Sequence, residues 1–204
     1  MADFTRVGYG QVEPNQLSAQ KTGQIYASLP LDSDVAVLQN GEFMYYDYVS
    51  GKVSADDSTG VAEPMLVFNE IKLYEPFWRT SYKDFAMIRV GDNYVTVKPA
   101  TAGYGDGAET VGVDANPGHT EYPYRMEGIA PRLFKTNIGD IYTTNMVKTG
   151  VEYAVGDLLA PVKDATTKTL VLEKTASPAK MAWAVVKVYT MPDGQPGLKL
   201  QRVQ

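Results

Sequence analysis

The side chains that could do chemistry are few in this chain, and they are scattered. One histidine, His119, stands in Asn116-Pro117-Gly118-His119-Thr120-Glu121. A nucleophile–base pair would have to use it, yet there is no Gly-x-Ser-x-Gly elbow and no cysteine. Zinc needs two or more His or Cys ligands, so His119 with Asp114 and Glu121 makes a poor site, and His119 reads as an exposed loop residue. Gly103-Tyr104-Gly105-Asp106-Gly107 has the glycine density of a phosphate loop. It lacks the Gly-Lys-Ser/Thr of a P-loop, and its third glycine is misplaced for the dinucleotide fingerprint. Asp56-Asp57 and the set Asp106, Glu109, Asp114 could offer oxygens to calcium, but neither has EF-hand spacing. No motif points to paired-carboxylate hydrolysis. Arg79, Lys83, Arg89, Arg125, Arg132 and Lys135 are spread among aromatics, and the net charge of −5 favours snorkelling stems over an RNA platform. No catalytic residue, metal ligand or cofactor is assigned, and the chain is expected not to be an enzyme.

The elements that would position any such group are strands. The chain has 204 residues with Gly 18, Pro 12 and Tyr 14, and its apolar residues come in short bursts. VAVL (35–38), PMLVF (64–68), FAMIRV (85–90), YVTVK (94–98), TLVLE (169–173) and AWAVVKVYT (182–190) are rich in β-branched or aromatic residues. Each is fenced by Gly, Pro, Asn or Asp, which is a strand signature. VEPNQLSAQKTGQIYASL has weak helical spacing that Gly23 interrupts, so any helix there is short. The expected fold class is mainly β, a compact barrel or sandwich with few short helices. The start has no apolar signal core and no apolar run reaches a membrane span, so a soluble, cytoplasmically made protein is expected. Net acidity argues against nucleic acid as a partner.

Residues 1–30 are polar and Gln-rich and read as an N-terminal arm, with 2–20 expected to be mobile until a partner orders them. Residues 31–204 read as a single β domain with a long loop at 99–128, functional or mobile by its length. Within it, 41–74 and 156–189 look like a pseudo-repeat. Gly41-Glu42-Phe43-Met44 is echoed by Gly156-Asp157-Leu158-Leu159, Ser50-Gly51-Lys52-Val53 by Thr166-Thr167-Lys168-Thr169, and Lys72-Leu73-Tyr74 by Lys187-Val188-Tyr189. Asn40-Gly41 is a hairpin-type dipeptide, Ser50-Gly51-Lys52 a second turn, and Met191-Pro192-Asp193-Gly194 the turn of a terminal hairpin.

The stretch LQNGEFMYYDYVSGKVS (38–54) crowds three tyrosines into four positions. Strand alternation puts Phe43, Tyr45 and Asp47 on one face and Met44, Tyr46 and Tyr48 on the other. The second set is expected to point inward and Tyr45 to a docking surface. The expected core is Val35, Val37, Phe43, Leu66, Phe68, Phe85, Ile88, Leu158, Leu170, Val186, Val188 and Leu200.

One pattern carries a resemblance. Tyr153-Ala154-Val155-Gly156-Asp157-Leu158-Leu159-Ala160-Pro161 leads through Thr169-Leu170-Val171 to Met181–Tyr189 and MPDGQPGLKLQRV. This resembles head-decoration (cement) and related minor structural proteins of tailed bacteriophages, and GEFMYYDYVSGKV, EPMLVFNEIKLY and YKDFAMI resemble the same kind of virion protein. The resemblance implies a small β-barrel or β-tulip domain on the capsid exterior that ties major capsid subunits together. It implies a homo-oligomer, dimer or trimer, on the virion, with no cofactor, nucleic acid or membrane. Candidate protein contacts are Tyr45, Tyr104, Tyr122, Tyr124 and Arg125. A tail or baseplate β-protein is the nearest alternative. A carbohydrate-binding module using Trp78 and Trp183 is another.

Overall fold

The computed structural model describes residues 4–6, 10–35, 37–69, 130–177, 180–191 and 194–204, together with the backbone of 87–89, 96–97 and 110–111. Its strands are β1 (Val12–Gln16), β2 (Ile25–Tyr26), β3 (Val37–Gln39), β4 (Phe43–Asp47), β5 (Lys52–Ser54), β6 (Met65–Val67), β7 (Met87–Arg89), β8 (Thr96–Val97) and β9 (Thr110–Val111). They continue with β10 (Leu133–Phe134), β11 (Ile141–Thr144), β12 (Leu158–Lys163), β13 (Leu170–Lys174), β14 (Trp183–Thr190) and β15 (Pro196–Arg202). One short helix, α1 (Ser18–Thr22), is ended by Gly23 in the left-handed conformation, where a Cβ is unwelcome. The protein is mainly β, built on a strongly curled antiparallel half-barrel sheet.

The sheet runs β1-β11-β15-β14-β12-β13-β4-β6-β10-β2, with β5 also on β4. Its two edge strands, β1 and β2, are near neighbours in sequence. Ten strands laid flat would span nine gaps of about 4.8 Å, or about 43 Å. The path from Gln16 to Ile25, five of its residues helical, reaches only about 22 Å. The sheet must therefore curl until its edges approach, and α1 straps the seam between them. This corrects the reading of residues 1–30 as an arm: Phe4, Leu17 and Ala19 are buried, and β1 and β2 pair with β11 and β10. Each strand of the segment is too weakly apolar to announce itself, but an edge strand borrows its ladder from a partner far along the chain.

Inside the curl lies an aromatic cluster. Trp183 packs on Phe43 with ring centroids 5.9 Å apart and on Tyr142 edge-to-face at 4.8 Å, and belongs to one buried cluster with Leu38, Leu133, Leu159, Leu172 and Leu198. Of the expected core, Val35, Phe43, Leu66, Leu170 and Leu200 are buried, whereas Val37, Phe68 and Leu158 are half-buried. Phe85 and the side chain of Ile88 lie outside the described residues.

Val186 and Val188 depart from the expectation, at 42% and 44% exposed. A register shift between Val185 and Lys187 breaks the alternation along β14. An extra residue in one strand sends the following side chains to unexpected faces. Val188 still pairs with buried Leu198, but β12 meets β14 only at Ala184 and Trp183, so among the described residues the far half of β14 is paired on one side only, by β15.

Strand β4 was expected to have one inner face, but Phe43, Met44, Tyr46 and Asp47 are all buried. It is a central strand, flanked by β13 and β6. Tyr48, expected inside, is 71% exposed. β4 ends at Asp47, whose carboxylate accepts the Val49 N–H at 2.8 Å and closes the turn into β5. Asn40-Gly41 does form a turn, but not a hairpin: β3 pairs with β7, not with β4.

Candidate functional site

Three turns of one design organise the described residues. In each, a glycine at positive φ precedes an acidic residue that begins a strand: Gly41-Glu42 (φ 92°) before β4, Gly139-Asp140 (φ 96°) before β11 and Gly156-Asp157 (φ 94°) before β12. The acidic residue's N–H donates to the carbonyl three residues back, on Gln39, Asn137 and Ala154, at 3.3, 3.0 and 3.1 Å. Its carboxylate accepts that same residue's N–H in return, at 2.7, 2.9 and 2.8 Å. The glycine N–H donates to Val67, Arg202 and Val185 carbonyls at 2.9, 2.8 and 2.9 Å. Those three residues donate their own N–H back to the acidic residue's carbonyl at 2.8, 2.9 and 2.9 Å.

Glycine is required because the conformation disfavours a Cβ, and the acid because it satisfies a turn N–H that strand pairing leaves over. The first and third copies are the units suspected from Gly41 and Gly156. The copy at Asn137-Ile138-Gly139-Asp140 was missed, although its Gly-Asp-apolar signal has the same form. The echo of Lys72-Leu73-Tyr74 lies outside the described residues.

The three carboxylates also clamp different segments. Asp140 accepts Ser18 N–H at 3.0 Å and Ser18 Oγ–H at 2.8 Å, supplying α1 with the cap its own Leu17 cannot provide. Asp157 meets Lys174 Nζ of β13 at 2.7 Å, and this contact chiefly holds its carboxyl below the usual range. Glu42 is fully buried and accepts Thr169 Oγ1–H at 3.0 Å. Burial raises its carboxyl to about 7, against the pull of the Gln39 N–H, the Thr169 hydroxyl and the Arg6 guanidinium.

A second acidic group sits beside β4 and β5. Asp47 accepts the Ser58 hydroxyl and the Val49 N–H, and the Ser58 bond leads in holding it down at about 2. Asp57 accepts Thr59 N–H, Thr59 Oγ1–H and Ala62 N–H at 2.9, 2.7 and 2.8 Å. Lys163 reaches Asp56 at 2.5 Å and Lys180 lies 3.7 Å from Asp57. Of the two carboxylate sets considered for calcium, Asp56-Asp57 thus meets turn N–H groups and lysines, and Asp106, Glu109 and Asp114 lie outside the described residues. Tyr45 lies half-buried beside this loop, its phenol pushed up by burial and then by Asp57 and Asp56. A shallow recess of about 290 Å³ is lined by Tyr46, Ala62, Glu63, Pro64, Met65, Lys135 and Thr136, and not by Tyr45. Buried Arg202 underlies its rim, donating to Glu63 at 2.9 Å and to the Thr136 carbonyl.

Of the candidate contacts, Tyr45 is placed; Tyr104, Tyr122, Tyr124 and Arg125, with His119, Asp106, Glu109 and Asp114, lie outside the described residues. The Arg132 guanidinium carbon lies over the Phe134 ring, 5.6 Å from its centroid, in a cation–π contact. Trp183 is fully buried and cannot serve as a sugar platform. Comparison with protein-family models, curated proteins and solved structures finds no match.

Proposed function

We propose that the chain is a non-enzymatic structural protein of a tailed-phage virion that sits on the capsid exterior and ties neighbouring major capsid subunits together. The observation that carries this reading is where its most family-like stretch falls. Residues 153–203 make β12, β13, β14 and β15, contiguous in the sheet, and Val155, Val162, Val186 and Val188 are exposed on that part of the molecule. A cement protein needs a rigid scaffold and contact area, roughly 1,600 Å² in total for a stable pair, and no reacting group. The described carboxylates of the three turns serve the scaffold. The carbohydrate reading loses Trp183, one of its two platforms.

The test is to assemble heads with and without the full-length chain and separate heads from tails on a gradient. Co-sedimentation with heads, at a constant ratio to the major capsid protein and with raised resistance of those heads to heat, is the expected result. Recovery with tails alone selects the baseplate alternative, and recovery with neither overturns the proposal. A major capsid reading frame beside the coding gene is the simplest supporting observation.

A further inference from the structure

Strand β14 changes surroundings half-way along. At Trp183 and Ala184 it lies between β12 and β15, but over residues 186–190 only β15 pairs with it among the described residues. The direction of the backbone groups on the open side follows from the register. Gly139 N–H donates to the Arg202 carbonyl and Arg202 N–H to the Asp140 carbonyl, so Arg202 turns its backbone polar groups toward the β11 side. Every second residue of a strand shares that direction, so Leu200 and Leu198 also turn to β11, where they face Tyr142 and Thr144. Val188 and Thr190 stand opposite Leu198 and Pro196. Leu198 is committed to β11 and Pro196 has no N–H. The N–H and C=O groups of Val188 and Thr190 therefore aim at the open edge.

The side chains along this edge are of two kinds, one on each face. Lys187 and Lys199 stand directly opposite each other, on the face away from buried Leu198 and Leu200. Like charges so placed repel, and neither lysine meets a carboxylate among the described residues. Lys187 Nζ lies over the Tyr189 ring, 5.9 Å from its centroid. The Tyr189 hydroxyl donates to Glu13 Oε2 at 2.5 Å and so fixes that ring across the outer face. Val188 lies on the other face with its partner Leu198, yet it is exposed, as is Val186.

We propose that residues 186–190 form a docking edge for an extended, acidic segment of another protein, which joins the sheet as a further strand. Val188 and Thr190 supply the main-chain hydrogen bonds. The two lysines select carboxylates at alternate positions of the incoming strand, and the exposed valines select apolar residues between them. A second copy of the chain is the wrong occupant. Pairing the edge with itself would put Lys187 and Lys199 of both copies on one face with no carboxylate among them, and lysine at an open edge discourages such self-pairing. The charge that repels a copy attracts an acidic strand. The inference does not rest on the virion reading, since it names the chemistry of the strand whichever protein carries it.

The test titrates the full chain with a capped peptide, Glu-Val-Glu-Val-Glu-Val-Glu, and with its counterpart carrying Lys for Glu. Amide hydrogen exchange followed by NMR reads the edge directly. The Val188 and Thr190 amides should gain protection with the acidic peptide and not with the basic one, while the Leu198 amide, already bonded to β11, should not change. Lys187→Glu, at an exposed position, should weaken the acidic peptide by about five-fold, the scale of one exposed ion pair, and narrow its lead over the basic one. Val188→Pro removes one edge donor and leaves the bonds to β15, so it should abolish the gain at Thr190; if it fails to fold, the charge reversal carries the test. No gain with the acidic peptide, equal binding of the two peptides, or an unchanged lead in Lys187→Glu would each overturn the proposal. Protection of Val188 that grows with the concentration of the chain alone would overturn it in favour of self-pairing. Heads take no part in these measurements, so failure here leaves the virion reading standing.

Discussion

At the scale of single residues, Glu42 and Asp47 pull the pH dependence of stability in opposite directions. Glu42 is raised from an ordinary 4.5 to about 7, so the folded state binds its proton more tightly than the unfolded one. Its contribution is fully present below about pH 4.5 and is lost as pH rises through 7. The difference corresponds to about 3 kcal/mol, and Glu42→Gln should flatten the decline between pH 5 and 8 in denaturant unfolding. Asp47 is held down to about 2 from 3.8. Its contribution is present above pH 3.8 and is lost as pH falls through 2, so Asp47→Asn should reduce the loss of stability in that acid window. The tyrosines separate by burial. Tyr46 is buried, and its hydroxyl lies 2.6 Å from Ser28 Oγ, so Tyr46→Ala should cost about 3–5 kcal/mol. Tyr48→Ala should change unfolding by about 0.5 kcal/mol or less, with Tyr45→Ala between. A larger effect at Tyr48 than at Tyr46 would show the strand to end elsewhere.

At the scale of elements, the three Gly-acid turns give an ordered prediction. At Gly139 and Gly156 a Cβ would meet nothing within 4 Å, so alanine there carries only the backbone penalty, about 1–2 kcal/mol. At Gly41 a Cβ would also fall 2.6 Å from Met146 Cβ and 2.6 Å from Thr144 Oγ1. Neither is the far end of a flexible chain. Gly41→Ala should therefore be the most damaging of the three, by a further kilocalorie or more on the scale of overpacked cores. Comparing the three midpoints in urea checks the order, and equal losses would mean that the first turn can shift as a body.

At the scale of the whole molecule, the prediction concerns the seam. Deleting residues 1–26 removes both edge strands, the helix that joins them and buried Phe4, Leu17 and Ala19. For a chain of this size each kilocalorie moves the melting point by roughly 2–4 °C. Loss of Leu17 burial alone is worth about 1.5–3 kcal/mol, so the deletion should lower the midpoint by on the order of 10 °C or more. An unchanged melting temperature would restore the reading of this segment as a free arm.

Strand identity was legible in the sequence because it is a local property. Bursts such as AWAVVKVYT and their Gly, Asn and Asp fences constrain φ, ψ and turn chemistry within a few residues, and β14, β15 and the turn at Gly156 lie where those signals place them. So was part of the core, where alternation runs uninterrupted, as at Leu200. Burial on both faces of β4 was not legible, because it depends on where the strand sits in the assembled sheet, between β6 and β13, the latter more than a hundred residues away. The bulge at Val186 leaves no composition signal and yet redirects the side chains after it. The polar N-terminal segment looks too poor to fold, and alone it is, but β11 and β10 supply its hydrogen-bond partners. Likewise the sequence marked the turns at Glu42 and Asp157 but not the one at Asp140, and which carboxylate lies deepest depends on what packs over it: Asp140 and Asp157 meet partners of their own, and Glu42 is enclosed. Local chemistry determined the strands and turns; long-range pairing decided which residues lie inside, since burial belongs to the assembled sheet and to no single stretch of it.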